Sequence, residues 1–244
     1  MIDYDYIAKN IREIQERVNN AKLKRDTDTD VRLMAVTKTV PADKINFAVS
    51  CGIDLIGENR VSELLGKYDE IDKTGGLEIH FIGSLQTNKV RQIIDKVSMI
   101  QSVNSLRLAE EINKRADMQN KVMDILIEIN IAGEENKIGI SEAECPGFVD
   151  KIKDFKNIRV CGLMTIPPFE ASIDANRTEI KKYFNKMQEL NGRLIRETGM
   201  ETGILSMGMS EDFEEAVQCG SDVIRIGKKI FGERKGEEEI RGIM

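Results

Sequence analysis

Eight short apolar runs, spaced by helical segments, constrain this 244-residue chain more than any other feature. They are LMAVTK at 33–38, IDLIG at 53–57, IHFIG at 79–83, VSMIQ at 97–101, MDILIEIN at 123–130, IRVCGLMTI at 158–166, GILSMG at 203–208 and DVIRIG at 222–227. Helical patterns occupy 42–50, 59–68, 87–95, 105–118, 142–154, 174–197 and 211–218. Strands joined through helices pair in parallel, and strands apolar nearly throughout are covered on both faces. Eight such units in roughly 210 residues predict an α/β fold, a closed (β/α)8 TIM barrel. An open doubly wound sheet is the alternative.

Ile7, Ile11, Ile14 and Val18 recur at helical spacing, so residues 3–22 read as an extra amphipathic helix before the barrel, joined by the polar hinge RDTDTD at 25–30. Ser141 and Glu144 read as a capping box, and GSD at 220–222 as a helix stop. Two longer loops, GEENKIG at 133–139 and PPFEASIDANR at 167–177, follow strands on the face where barrel function sits. Residues 1–232 are expected to form one domain, and 233–244, ERKGEEEIRGIM, a charged flexible tail.

Charge and cysteine usage narrow the partners. The 36 basic and 42 acidic residues are interspersed and sum to −6, which does not make a nucleic-acid footprint. Cys51, Cys145, Cys161 and Cys219 lie far apart without metal-ligand spacing, so neither zinc nor a disulfide framework is indicated. The N-terminus, MIDYDYIAKNIREI, lacks a signal-peptide core, and no run is long enough to span a bilayer. A cytoplasmic protein with no membrane partner is expected.

The chemistry gathers at strand ends. Side chains alternate along a strand, so Met34, Val36 and Lys38 share one face, and an inward Met34 and Val36 would carry Lys38 into the barrel mouth. Desolvation favours the free amine, a nucleophile toward a carbonyl; the alternative is a lysine that snorkels to solvent or pairs with a carboxylate. Ser210, ending SMGMS, can cap a helix starting at Glu211, and Gly227 in RIGKKIFG opens a segment with outward N–H groups. A hydroxyl and free amides after strands seven and eight make a phosphate cradle, although each residue alone reads as a cap or a turn. Together with Lys38 they point to a phosphorylated aldehyde. Arg225 lies on the inward face if Gly227 is at the rim; a guanidinium only donates, so beside a pyridine nitrogen it would keep that nitrogen unprotonated. The alternative is a structural Arg–carboxylate pair.

The blocks AVTKTVP, IGENRVSE, HFIGSLQTNKVR, SVNS, INIAGEENKIGI, GLMTIPP and LSMGMSEDFEEAVQCGSDVIRIGKKIFGER resemble, in order and over about residues 5–234, the pyridoxal-phosphate homeostasis protein family, also called proline synthetase co-transcribed homologues. The resemblance implies a single barrel like the N-terminal domain of alanine racemase, with pyridoxal 5'-phosphate held as a Schiff base on Lys38. It implies a phosphate site at Ser210 and the amides of Gly227 and Lys228, with Arg225 facing the pyridine nitrogen. Asn59 and Met207 fall in motifs bordering the cofactor. His80, the only histidine, matches the HFIG block, where Ile79 replaces a common tryptophan; its alternative is a satisfied core group.

In alanine racemase a tyrosine from the partner's C-terminal β-domain supplies the second base. This chain ends at Met244, and Tyr4, Tyr6, Tyr68 and Tyr183 all fall in outer helical patterns, so two-base racemisation lacks a visible second base. The resemblance thus implies no strong catalysis but buffering or delivery of the cofactor, exchanging with small-molecule amines and serving apo-enzymes, from a monomer. The alternatives are a slow amino-acid racemase or related cofactor-dependent enzyme, and a phosphate-binding barrel without pyridoxal phosphate.

Overall fold

Eight parallel strands pair in sequence order and close on themselves: β1 (Arg32–Val36), β2 (Leu55–Glu58), β3 (Glu78–Phe81), β4 (Met99–Val103), β5 (Met123–Ile129), β6 (Ile158–Thr165), β7 (Ile204–Ser206) and β8 (Val223–Ile226). The structure, a computed structural model, describes residues 4–25, 29–134, 137–173, 177–198, 200 and 203–232. Helices alternate with the strands: α1 (Asp5–Lys22), α2 (Ala42–Ser50), α3 (Val61–Lys67), α4 (Val90–Ile93), α5 (Leu106–Asp117), α6 (Cys145–Ile152), α7 (Phe169–Ile173), α8 (Thr178–Thr198), α9 (Phe213–Gln218) and α10 (Lys228–Phe231). The expected TIM barrel, with its extra N-terminal helix, is the observed fold.

The strand faces divide as the period-two pattern requires. Ala35, Ile56, Ile100, Ile125, Leu163, Leu205 and Ile224 point outward into one continuous cluster with the helices. The interior holds two smaller clusters: Met34, Val36, Leu55, Ile82 and Val223 on one side, and Met99, Leu126, Cys161 and Met164 on the other, with Ile204 packed against both. Burying these runs removes apolar area from water on both faces of every strand, the main stabilising term of the fold.

α1 buries Ile7, Ile11, Ile14, Val18 and Ala21. Its Arg17 makes two 3.0 Å hydrogen bonds to the Glu214 carboxylate on α9. Tyr6 and Asn10 donate to the carbonyls of Phe231 and Ile230, satisfying the C-terminal end of α10. The N-terminal helix thus braces the short helix that follows β8.

Local boundaries differ from the sequence pattern at several points. α7 forms inside the segment 167–177 expected as a loop, because Ile166, Pro167 and Pro168 end the strand and the next residues are free to turn. Ser141 and Glu144 do exchange reciprocal bonds, with Glu144 N–H donating to the serine Oγ and Ser141 N–H to the Glu144 carboxylate, both at 3.3 Å, but regular α-helix begins only at Cys145. The expected tail 233–244 and positions 26–28 of the hinge lie outside the described residues. None of the four cysteines is in a disulfide. Among the described residues no helix is long and apolar enough to cross a membrane, and no cluster of His, Cys, Asp and Glu could hold a metal.

Candidate functional site

Lys38 follows β1 by two residues, on a tight turn. Met34 and Val36 are buried in the interior, as the alternation predicts, and Lys38 is half-buried above them. Val40 N–H donates to the Thr37 carbonyl at 3.0 Å, and Thr39 takes a left-handed φ of 59° while its N–H donates to the Glu63 carboxylate at 2.7 Å. Beneath the turn, the Lys67 ammonium of α3 donates to the carbonyls of Thr37 at 2.7 Å and Val40 at 3.1 Å. The same ammonium lies 2.7 Å from the Glu58 carboxylate, which also accepts from the Thr37 hydroxyl. Burial pushes Glu58 above the usual carboxylate range, with Lys67 the main opposing influence. A buried polar knot therefore fixes the backbone that carries Lys38.

The register sets the neighbours of this turn. β1 pairs with β2 up to Val36 and Gly57, and with β8 up to Ala35 and Ile226. Lys38 therefore emerges between Asn59, just after β2, and Gly227, just after β8. Asn59 Oδ1 is buried without a hydrogen-bond partner among the described residues, an unmet acceptor beside the lysine. Its backbone is pressed against Gly83: a Cβ there would stand 2.0 Å from the Asn59 carbonyl oxygen.

Arg225 points inward from β8 and is buried. Its Nη1 donates to Ser206 Oγ at 2.8 Å, and its Nη2 to the carbonyl of Thr165, the last residue of β6, at 2.7 Å. No carboxylate lies within ion-pair distance among the described residues, so the alternative of a structural Arg–carboxylate pair is not what forms. Burial brings its pKa down to about 10, with Asp212 and Glu128 acting against that fall at longer range. It remains a cation at neutral pH, placed at the open end of the barrel.

The turn after β7 differs from expectation. Helix α9 starts at Phe213, not Glu211, and Asp212 is its N-cap residue. Gly208, at φ 93°, swings the chain over Phe213 and Ala216, moving the helix start past Ser210. Asp212 then ties the turn, accepting from Met209 N–H at 2.6 Å and from the Ser172 hydroxyl of α7 at 2.5 Å. Ser210 is thus not the cap, and its hydroxyl makes no hydrogen bond among the described residues. Arg225 N–H donates to the Gly208 carbonyl at 2.9 Å, joining this turn to β8. Gly227 is the N-cap residue of α10, where the first-turn N–H groups find no partner within the helix.

The structure therefore brings Lys38, Asn59, Ser210, Arg225, Gly227 and Lys228 to the strand ends of one barrel face. Two expected residues stand apart. Met207 is fully buried in the layer between barrel and helices, on the face of β7 opposite Ser206. His80 is deeper in the interior with both ring nitrogens engaged, Nδ1 2.9 Å from Gln101 Nε2 and Nε2 3.2 Å from Glu78 Oε2.

Sequence reading missed three interior groups. Gln101 and Ser206 bond each other at 2.7 Å across the barrel, and Glu128, on β5, takes a hydrogen bond from Asn104 at 3.1 Å while burial raises its pKa. Strict alternation in ILIEIN places Glu128 on the inward face with Leu126, a signal present in the sequence.

The family model of the alanine racemase N-terminal domain matches residues 2–235 of this closed parallel barrel. The chain belongs to the pyridoxal phosphate homeostasis protein family. It is 44% identical over 204 residues to the pyridoxal phosphate homeostasis protein of Aquifex aeolicus, covering 84% of this chain and 87% of that one. The protein of the same name from Escherichia coli K12 is 32% identical over 236 residues, covering 93% and 97%. Among solved structures, PipY of Synechococcus elongatus PCC7942 with PLP bound superposes with a TM-score of 0.80 at 27% identity, covering 93% of this chain and all, 100%, of that one. Alanine racemase from Corynebacterium glutamicum, at 19% identity and TM-score 0.67, covers 97% of this chain and 63% of its own and shares the fold.

Proposed function

We propose that this chain binds pyridoxal 5'-phosphate at the barrel mouth and serves its intracellular homeostasis, buffering or delivering the cofactor without strong catalysis of its own. The observation that carries this reading is Arg225, a buried cation with no carboxylate at ion-pair distance among the described residues, held by a hydroxyl and a carbonyl at the open end of the barrel. The orphaned Asn59 Oδ1 beside the Lys38 turn fits the same ligand. Family membership and the PLP-bound PipY structure support the choice of cofactor.

Pyridoxal phosphate supplies an aldehyde that a lysine amine captures as a Schiff base, exchangeable with incoming amines. Lys38 is the attachment residue in this reading, and the Lys67 knot keeps its turn in one geometry. Arg225 donates to the ring nitrogen without giving up a proton, which keeps that nitrogen unprotonated and the ring a weak electron sink. Ser210 and the amides of Gly227 and Lys228 supply donors for the phosphate. Met207 supports the Gly208 turn from behind, and His80 reaches the site through Gln101 and Ser206. The barrel acts as one monomeric domain, with apo-enzymes and small amines as exchange partners.

A second reading rests on Glu128, a buried interior carboxylate whose raised pKa suits proton transfer: slow racemisation of an amino acid. The deciding experiment is an absorbance spectrum with added pyridoxal phosphate, before and after borohydride, for the parent and Lys38→Ala, alongside α-hydrogen exchange of alanine in D2O. A band near ~420 nm, fixed by reduction and absent in the variant, with no exchange, supports the carrier. Exchange lost in Glu128→Gln supports the enzyme, and absence of the band overturns both.

A further inference from the structure

A continuous hydrogen-bonded chain crosses the barrel from end to end. Arg225 Nη1 donates to Ser206 Oγ at 2.8 Å, and Ser206 donates to Gln101 Oε1 at 2.7 Å. Gln101 Nε2 lies 2.9 Å from His80 Nδ1, and His80 Nε2 lies 3.2 Å from Glu78 Oε2. Glu78 is the first residue of β3, at the N-terminal end of the barrel, where Arg32 Nη1 holds its other oxygen at 2.9 Å. The guanidinium at the opposite terminus is level with the last residue of β6. Because β4 and β7 are not neighbours in the sheet, the Gln101–Ser206 bond spans the interior.

With Glu78 ionised and one proton on the His80 ring, the donor direction of this chain admits one solution. A guanidinium only donates and a carboxylate only accepts. Ser206 has one proton, which it gives to Gln101 while its lone pair takes Arg225. With its oxygen thus occupied, the Gln101 amide presents its NH2 to the ring. Nδ1 of His80 must then be unprotonated, and the neutral ring carries its proton on Nε2, facing Glu78. Every bond points the same way, and each group in the middle is fixed only because both ends are. Reversing the order would turn a bare Nε2 toward the Glu78 carboxylate, acceptor against acceptor, and would turn the Gln101 NH2 onto Ser206 Oγ, releasing the serine proton from Gln101.

We propose that Glu78, at the closed end of the barrel, sets through His80, Gln101 and Ser206 the hydrogen bonding and orientation of Arg225 at the open end, making His80 a positioning residue for the site. The consequence for ligand binding rests on the reading that Arg225 faces the cofactor; the ordering of the chain does not. Turning the Gln101 amide over releases the Ser206 proton from Gln101 and so alters the hydroxyl that Arg225 holds, at a cost of about tenfold in cofactor affinity, the scale of one buried hydrogen bond.

The test uses the full chain, free of cofactor and labelled with 15N. His80 is the only histidine, so its ring nitrogens give one unambiguous set of signals in a long-range 1H–15N spectrum. The parent is expected to show the Nε2–H tautomer, and Glu78→Gln, whose amide oxygen still accepts, to keep it. Glu78→Lys replaces an acceptor-only group with a donor-only one; it is expected to switch the ring to Nδ1–H, shift the Arg225 guanidinium resonances and weaken pyridoxal phosphate binding about tenfold. Asp124→Asn, which alters charge at the N-terminal end of β5, where its partner is Arg159, is expected to change none of these. An Nδ1–H ring in the parent, a ring unswitched in Glu78→Lys, or a switched ring with unmoved Arg225 signals would overturn the proposal. If the parent takes up no pyridoxal phosphate, the functional reading fails while the tautomer and guanidinium signals still decide this one.

Discussion

The Lys67 ammonium lies 2.7 Å from the fully buried Glu58 carboxylate and at the same time holds the Thr37 and Val40 carbonyls on either side of Lys38. Removing one partner of a buried pair leaves the other charge uncompensated, typically at a cost of about 3–5 kcal/mol. Lys67→Met is therefore expected to lower the Tm by about 10 °C in a domain of this size. Adding Glu58→Gln to it should recover part of the loss, since the stranded charge is then gone. A Lys67→Met protein that melts with the parent would show that the knot does not stabilise the Lys38 turn.

Gly83 has no room for a side chain: a Cβ would overlap the Asn59 carbonyl, and backbone cannot yield as a flexible side chain does. Gly83→Ala is expected to destabilise by about 1–3 kcal/mol. It should also displace Asn59, so that pyridoxal phosphate binding weakens beyond what the fraction unfolded explains. Equilibrium denaturation and a binding titration on the same preparation separate the two effects; a normal affinity in the folded fraction would remove Asn59 from the site.

Arg225 places a cation in the interior without an ion-pair partner among the described residues, and burial lowers its pKa. An apolar residue of similar length relieves that desolvation cost, as replacing buried charges often does. Arg225→Met is thus expected to leave the Tm of the cofactor-free protein at or above that of the parent while lowering affinity for pyridoxal phosphate. A stability maintained at the expense of the site is the pattern of a functional, not a structural, residue. A drop in Tm of the cofactor-free variant would make Arg225 a structural group instead.

What the sequence made legible follows from what is periodic in it. The eight strands, their inward and outward faces, and the positions of Lys38 and Arg225 at strand ends are all consequences of period-two alternation and parallel pairing, which local sequence carries. α9 starts two residues later than its sequence pattern suggests because Asp212, not Ser210, completes the turn, and that choice depends on Gly208 and on Ser172 from a distant helix. The cross-barrel bond between Gln101 and Ser206 joins positions 105 residues apart, so no local pattern announces it. His80 could be assigned to a motif from sequence, but the engagement of both its nitrogens appears only once β3, β4 and β7 share an interior.

Glu78 gives the stability of the protein a dependence on acid that can be isolated. The hydrogen bond from His80, assisted by Arg32 and opposed by partial burial, lowers its pKa to about 2 from the ordinary 4.5. A carboxylate held more acidic in the folded state stabilises when ionised: its contribution is complete above the ordinary value and is lost as the pH falls toward 2. Burial has the opposite effect on Glu58, Glu128 and Asp212, whose raised pKa values make stability rise as they protonate. The acid limb of the parent therefore mixes both signs, and subtracting a Glu78→Gln variant separates them. The side chain of Glu78 is 41% exposed, so solvent screening holds its share to about 1 kcal/mol. Urea denaturation of the two proteins is expected to give a stability gap of about that size at pH 7, shrinking progressively below pH 4.5. A gap that stays constant down to the lowest pH at which both fold would mean that the variant loses packing or geometry, and that the charge of Glu78 does not stabilise the closed end of the barrel.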